Sequence, residues 1–137
     1  MRSNTRRVDV EWGHCDPAGI VFFPRYFEWF DAATAHLFAA CGVPKDALVA
    51  RFGVVGFPIV DTRAIFHIPS RFGETVEIVT RITRLGGASL ELEHRLMRGE
   101  KLAVEGFETR VLVRRAADGV GLEPCPIPRQ LRELLGG

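Results

Sequence analysis

The hydrophobic positions along the chain change period several times, and each change marks an element. Val8, Val10 and Trp12 alternate with Arg7, Asp9 and Glu11, the two-residue period of a strand with one buried face. A turn bearing Gly and Pro, His14-Cys15-Asp16-Pro17-Ala18-Gly19, follows. A short apolar stretch then ends at Pro24, a residue suited to the first turn of a helix. From there Phe27, Phe30, Thr34, Leu37, Phe38 and Cys41 recur at three- and four-residue spacing, and Gly42 with Pro44 stops the pattern. This predicts a helix of about four to five turns.

Residues 45–57 carry no clear period, and Gly53-Val54-Val55-Gly56 reads as a turn, at a subunit contact if the chain self-associates. It lacks the lysine and the strand-to-helix setting of a phosphate loop. Beyond it, Val60, Thr62, Ala64, Phe66 and Ile68 share one face of a strand closed by Pro69. Val76, Ile78, Thr80 and Ile82 define the next strand, and Gly86-Gly87 turns it into a partner carrying Leu90, Leu92, His94 and Leu96. In the last long strand Leu102 and Val104 face inward, and beyond a phase slip near Gly106 so do Phe107, Thr109, Val111 and Val113. A one-residue slip at a glycine predicts a β-bulge there. The tail, residues 128–135, predicts one or two helical turns.

Strand, long helix, then four strands without βαβ alternation is an α+β order: a five-stranded antiparallel sheet wrapped around one central helix. One helix does not cover such a sheet, so an exposed edge or face predicts self-association.

A length of 137 residues fits one domain spanning 1–137, with 47% hydrophobic and 26% charged residues, an ordinary soluble globular composition. The net charge of +1 excludes nucleic-acid binding by bulk electrostatics, so an anionic ligand has to be met locally. Cations are 16 Arg against 2 Lys, which suits bidentate phosphate contacts and equally reflects genome composition. Residues 1–12 show no leader-like apolar core, and no run approaches the ~20 apolar residues of a membrane span. With Cys15, Cys41 and Cys125 unpaired in spacing, the expectation is a cytoplasmic protein with free thiols.

The densest chemistry lies in Gly13-His14-Cys15-Asp16-Pro17-Ala18-Gly19-Ile20-Val21-Phe22-Phe23-Pro24-Arg25-Tyr26. An acid in a tight turn precedes a helix start, whose unpaired N–H groups polarise a carbonyl oxygen lying there. A carboxylate just upstream reaches the same carbonyl as nucleophile or as general base toward water. On these residues alone a structural Asp16 is the plainer reading, because Asp-Pro is common in turns. Neighbouring His14 and Cys15 point to opposite sides of an extended chain and make no dyad. The histidines His14, His36, His67 and His94 lack metal-ligand spacing, so no metal and no cofactor is expected. The aromatic cluster from Phe22 to Phe30 is first of all core, with Trp29 or Phe23 also able to line an acyl pocket.

The run Asp16-Pro17-Ala18-Gly19-Ile20-Val21, followed by Phe23-Pro24, Tyr26, Trp29 and Asp31-Ala32-Ala33, closely resembles the bacterial 4-hydroxybenzoyl-CoA thioesterase family of hot-dog-fold enzymes. The resemblance covers nearly the whole chain. It implies hydrolysis of an aryl-CoA thioester, with Asp16 attacking the carbonyl or activating water and the backbone N–H near Phe23 polarising the oxygen. It further implies an acyl site using Asp31 toward a ring hydroxyl, with Trp29 and Gly19, and an assembly of dimers or dimers of dimers with active sites at the dimer interface. A related branch carries His where this chain has Phe23, which favours the hydroxybenzoyl branch. Where that enzyme has a basic turn for coenzyme A phosphates, this chain reads Gly86-Gly87-Ala88, leaving Arg71, Arg84 and Arg110 as the CoA-binding candidates. Two other readings stand beside this one. A hot-dog hydratase or dehydratase needs a His at the helix start, and a non-catalytic acyl-CoA-binding module has little use for Asp16.

Overall fold

In the computed structural model, which describes residues 2–137, five strands form one antiparallel sheet. They are β1 (Ser3–Asp9), β2 (Ile59–Phe66), β3 (Thr75–Leu85), β4 (Ser89–Arg98) and β5 (Lys101–Val111), in the spatial order β1-β3-β4-β5-β2. Met1, the first residue of the N-terminal stretch 1–12, lies outside the described residues. The hot-dog α+β architecture expected from the sequence is present. Helix α1 (Pro24–Ala40) begins on its proline and lies on the sheet with Tyr26, Trp29, Phe30, Ala33, Thr34, Leu37 and Phe38 buried.

Two elements escaped the sequence reading. Helix α2 (Lys45–Phe52) buries only Leu48, so it has no apolar stripe to show a period. Gly53 ends it in the left-handed region at φ 64°. A small hairpin pairs β6 (Val113–Arg115) with β7 (Leu122–Pro124), and α3 (Arg129–Leu134) closes the chain as expected. Trp12 corrects another expectation: it lies in a 3-10 turn, Trp12–His14, and is exposed instead of continuing β1 inward.

The phase of β5 is the larger correction. The β4–β5 register pairs Leu96 with Val104 and Met97 with Leu102, so Ala103 is the bulged residue, not Gly106. Val104, Gly106, Glu108, Arg110 and Leu112 then face the helix, while Phe107, Thr109 and Val111 turn to the other face. The reason is steric and electrostatic. The Phe30 ring lies so close over Gly106 that a Cβ there would sit 2.5 Å from it, and the next two inward slots hold an ion pair. Phe107, excluded from the interior, packs under the Arg63 guanidinium at 4.1 Å.

The core divides into two apolar clusters along α1. Tyr26, Trp29, Phe30 and Ala33 pack with Val8, Val76, Ile78 and Leu96, and Leu37 and Phe38 pack with Val43, Leu48, Leu90 and Leu112. Between them lies a polar layer of Thr34, Thr80, His94, Glu108 and Arg110, all buried. At the far edge, β2 pairs only with β5, and along it Ile59, Val60, Ile65 and Phe66 are exposed.

Candidate active site

Residues 15–21 fold back on themselves as a small antiparallel loop, with Cys15 bridged to Val21. Asp16 organises it. Its N–H donates to Ile20 O at 3.0 Å, its carbonyl accepts from Gly19 N–H at 2.9 Å, and its Oδ1 accepts from Ala18 N–H at 2.8 Å. These are the bonds of a turn that Asp favours and that Gly19, at φ 79°, completes. Oδ2 of the half-buried Asp16 has no partner among the described residues. The loop is fixed to segment 70–72 by Val21 N–H to Ser70 O and by the Ile20–Arg71 bridge.

The loop delivers the chain into α1 with one donor left over. Phe22 N–H bonds His14 O, Arg25 N–H bonds Phe22 O, and Pro24 has no N–H. Phe23 N–H has no partner among the described residues. A free donor at a helix start, backed by the helix dipole, is the arrangement that stabilises a developing oxyanion. Phe23 is also exposed, at the rim of a cavity of about 220 Å³ bounded by Ile20, Val21, Tyr26, Phe66 and His67.

From Phe23 the helix shows Phe27, Asp31 and Ala35 at four-residue intervals, and this stripe points away from the core. Asp31 borders a second cavity, of about 390 Å³, with Thr34, Phe38, Leu48, Phe57 and Arg110 around it. Arg110 holds Asp31: Nη2 donates to Asp31 Oδ1 at 2.8 Å, Nε to Glu108 Oε1 at 2.7 Å, and Nη1 to Phe57 O at 3.0 Å. Glu108 also accepts from Thr34 Oγ1 at 2.9 Å and contacts His94 Nε2 at 2.9 Å, while His94 Nδ1 lies 2.7 Å from Thr80 Oγ1. Burial alone would raise the Glu108 carboxyl, but the hydrogen bond and attraction of His94, and then of Arg110, outweigh it and hold it below the usual range. Burial opposes the Arg110 charge as well, and Glu108 with Asp31 pushes its pKa up instead.

The other anticipated residues separate. Trp29 is buried against His14 and Tyr26, with ring centroids 5.1 and 5.5 Å away, and lines neither cavity, so it packs the core instead of the substrate. Gly19 shapes the Asp16 turn. Arg71 lies beside the Asp16 loop, but Arg84 sits at the far end of β3, roughly 30 Å along the strand. Arg110 is inside, with its guanidinium committed to protein partners, which removes it from the group facing phosphate. Glu108, His94, Thr34 and Thr80 had no assigned role in the sequence. Thr34, Thr80 and His94 are polar residues in the apolar phase of three different elements, which is a readable signal, whereas Glu108 falls on the face that the β5 pattern reads as outer. No cluster of His, Cys, Asp or Glu able to hold a metal occurs among the described residues, and no helix there is long and apolar enough to cross a membrane.

Known proteins share this fold. The profile of the thioesterase-like superfamily matches residues 10–135. A 4-hydroxybenzoyl-CoA thioesterase from Pseudomonas sp. (strain CBS-3) is 36% identical over 140 residues, covering 97% of each chain. The crystal structure of a mutant 4-hydroxybenzoyl-CoA thioesterase complexed with 4-hydroxybenzoyl-CoA superposes with a TM-score of 0.91 at 32% identity, over 99% of this chain and 100% of that one. A gentisyl-coenzyme A thioesterase gives 0.82 at 33% identity, over 98% and 100%. With its hot-dog sheet, its Asp16 loop against a helix start and these relatives along its whole length, the chain belongs to the thioesterase-like superfamily and is an acyl-CoA thioesterase, a thioester hydrolase.

Proposed function

We propose that the enzyme hydrolyses 4-hydroxybenzoyl-CoA or a closely related aryl-CoA to the free acid and coenzyme A. The observation that carries this reading is the helix stripe between the free Phe23 N–H and the Arg110-held Asp31. Eight residues of helix at ~1.5 Å each separate them by about 12 Å. A hydroxybenzoyl group is about 6 Å from carbonyl oxygen to para-oxygen, and with a hydrogen bond of roughly 2.9 Å at each end it spans the same distance. The carbonyl oxygen sits on Phe23 N–H, Asp16 Oδ2 faces the acyl carbon as nucleophile or as base toward water, and Asp31 accepts from the ring hydroxyl.

The same reading makes a dimer the active form. β2 offers an unpaired edge with Val60 and Phe66 exposed, and the helix stripe runs beside it, so a second copy pairing there covers both hydrophobic edge and acyl site. Arg71, next to the Asp16 loop, is then the coenzyme A phosphate contact nearest the reacting carbon, and Arg84 serves only from another subunit. We place the enzyme in the cytoplasm, where the free Cys15, Cys41 and Cys125 remain reduced.

Thiol release from 4-hydroxybenzoyl-CoA, benzoyl-CoA, phenylacetyl-CoA and hexanoyl-CoA tests the proposal. The expected order of kcat/KM places 4-hydroxybenzoyl-CoA first. Faster turnover of hexanoyl-CoA would refute an aryl substrate.

A further inference from the structure

Phe27 stands at the middle of the helix stripe, one turn after Phe23 and one turn before Asp31, and none of the steps above uses it. Its ring is half-buried, yet it belongs to neither apolar cluster of the core and to none of the ring–ring pairs among the described residues. Two neighbours fix the flank of α1 that carries it. Asp31 bonds Arg110 at 2.8 Å and Thr34 bonds Glu108 at 2.9 Å, which sets this flank above β5, and the strand beyond β5 is β2. On the helix side of β2, Thr62 and Phe66 lie opposite Glu108 and Val104 and are exposed. The helix therefore leaves the inner face of β2 uncovered, with an open groove between that face and the stripe. An uncommitted ring on the wall of such a groove gains most from a flat apolar partner.

We propose that Phe27 is the platform on which the acyl ring of the substrate stacks, and that it selects aryl thioesters over saturated ones of the same shape. The helix register carries this. Residues four apart lie one above the other, ~6 Å along the axis, so a group reaching from Phe23 N–H to Asp31 passes over Phe27 at mid-length. In a 4-hydroxybenzoyl thioester the part at mid-length is the ring. Two aromatic rings prefer offset or edge contacts with centroids about 4.5–7 Å apart, and such contacts are worth more than their apolar area alone. A cyclohexane ring of equal length fills the same space but has no π face. The contact is present before and during attack on the carbonyl, so it acts on substrate affinity and leaves the chemical step alone. Phe27 is thus a specificity-determining residue with no part in bond making or breaking. The inference rests on the proposed acyl placement, carbonyl at Phe23 and ring toward Asp31, but not on the hydroxyl contact.

The test compares wild type with Phe27→Leu, which keeps an apolar side chain but loses the ring, and with Phe27→Tyr, which keeps the ring. The substrates are 4-hydroxybenzoyl-CoA and trans-4-hydroxycyclohexanecarbonyl-CoA, alike in length and in the terminal hydroxyl. Their intrinsic reactivities differ, and the difference cancels when each variant is divided by wild type. The expected result for Phe27→Leu is a loss in kcat/KM of about 3- to 10-fold on the aryl ester, carried by KM with kcat within about 2-fold, and less than about 2-fold on the saturated ester. Phe27→Tyr should keep the wild-type preference within about 2-fold. Equal losses of Phe27→Leu on both esters, a loss on the aryl ester confined to kcat, or a Phe27→Tyr that loses the preference would each overturn the proposal. So would dissociation of the Phe27→Leu assembly in sedimentation, which would make Phe27 a subunit contact. The ratio of 4-hydroxybenzoyl-CoA to benzoyl-CoA reads the Asp31 contact separately. A wild type indifferent to the hydroxyl removes that contact alone, and an intact hydroxyl preference with no ring selectivity lost in Phe27→Leu removes the platform alone.

Discussion

Arg110 donates to Asp31 across 2.8 Å and thereby joins the buried polar layer to the exposed helix stripe. The side chain of Arg110 is 9% exposed and that of Asp31 66%, so the bridge runs from interior to surface. Glu108 relies on Arg110 for one of its charged contacts. Arg110→Met fills the space but leaves Glu108 with an uncompensated part of its charge, and removing one member of a buried ion pair costs about 3–5 kcal/mol. Urea denaturation should show that loss as a lowered midpoint with an unchanged slope. A shift below about 1 kcal/mol would mean that the layer is solvated in solution.

Acid should act on the same layer. The folded Glu108 carboxyl lies below its usual range, so folding favours its ionised form. Its contribution is present above the unfolded value of about 4.3 and is lost as pH falls through the lower folded value. Thermal midpoints measured from pH 6 to pH 3 should therefore fall more steeply below about pH 4 in wild type than in Glu108→Gln. Parallel curves would remove Glu108 from the acid response.

The legible parts of this molecule are those where burial and periodicity agree. β3 and β4 each alternate cleanly, and α1 declares itself from Pro24 to Cys41 because one face is apolar. β5 was misread because its inward positions include Gly106, Glu108 and Arg110, which look like an outer face, while Phe107 and Val111 look like an inner one. Pairing decides such a strand, and pairing is not local. α2 was missed for want of a buried stripe. At the site, turn and helix-start chemistry marks the segment around Asp16, but on those residues alone Asp16 reads as structural and the roles of Asp16 and Phe23 follow from the family resemblance, whereas the Arg110–Asp31 contact joins positions 79 residues apart and leaves no local trace.

Gly106 offers a direct check on the corrected register. A methyl group there meets the Phe30 ring, which is itself stacked on His94 at 4.8 Å and has no free direction to move. Gly106→Ala should destabilise the fold by about 1–3 kcal/mol despite the better strand propensity of Ala. If Gly106 were instead the bulged residue, the same substitution would be nearly neutral, and the melting temperature distinguishes the two.

Asp16→Asn keeps the side-chain shape and the acceptor for Ala18 N–H but removes charge and nucleophilicity. Turnover should fall by orders of magnitude while the melting temperature and substrate binding stay near wild type. Retention of more than about a tenth of the wild-type kcat would assign the attack to another group.

The acyl preference turns on Asp31. Its carboxylate already accepts one bond from Arg110, which fixes its orientation and leaves Oδ2 with no partner among the described residues, at the border of the larger cavity. An oriented, partly desolvated carboxylate discriminates by what happens when its partner is missing, because a site built for a hydroxyl is penalised by a substrate lacking one. Benzoyl-CoA should therefore be disfavoured against 4-hydroxybenzoyl-CoA by about 1–3 kcal/mol, or roughly 5- to 150-fold in kcat/KM. Asp31→Ala should bring the ratio toward one by slowing the hydroxylated ester selectively. The same variant should lose no more than about 1 kcal/mol of stability, since the Asp31 end of the pair is solvent-exposed and screened. A wild type that treats the two esters equally would leave Asp31 as a surface partner of Arg110 alone and send the search for the acyl group elsewhere.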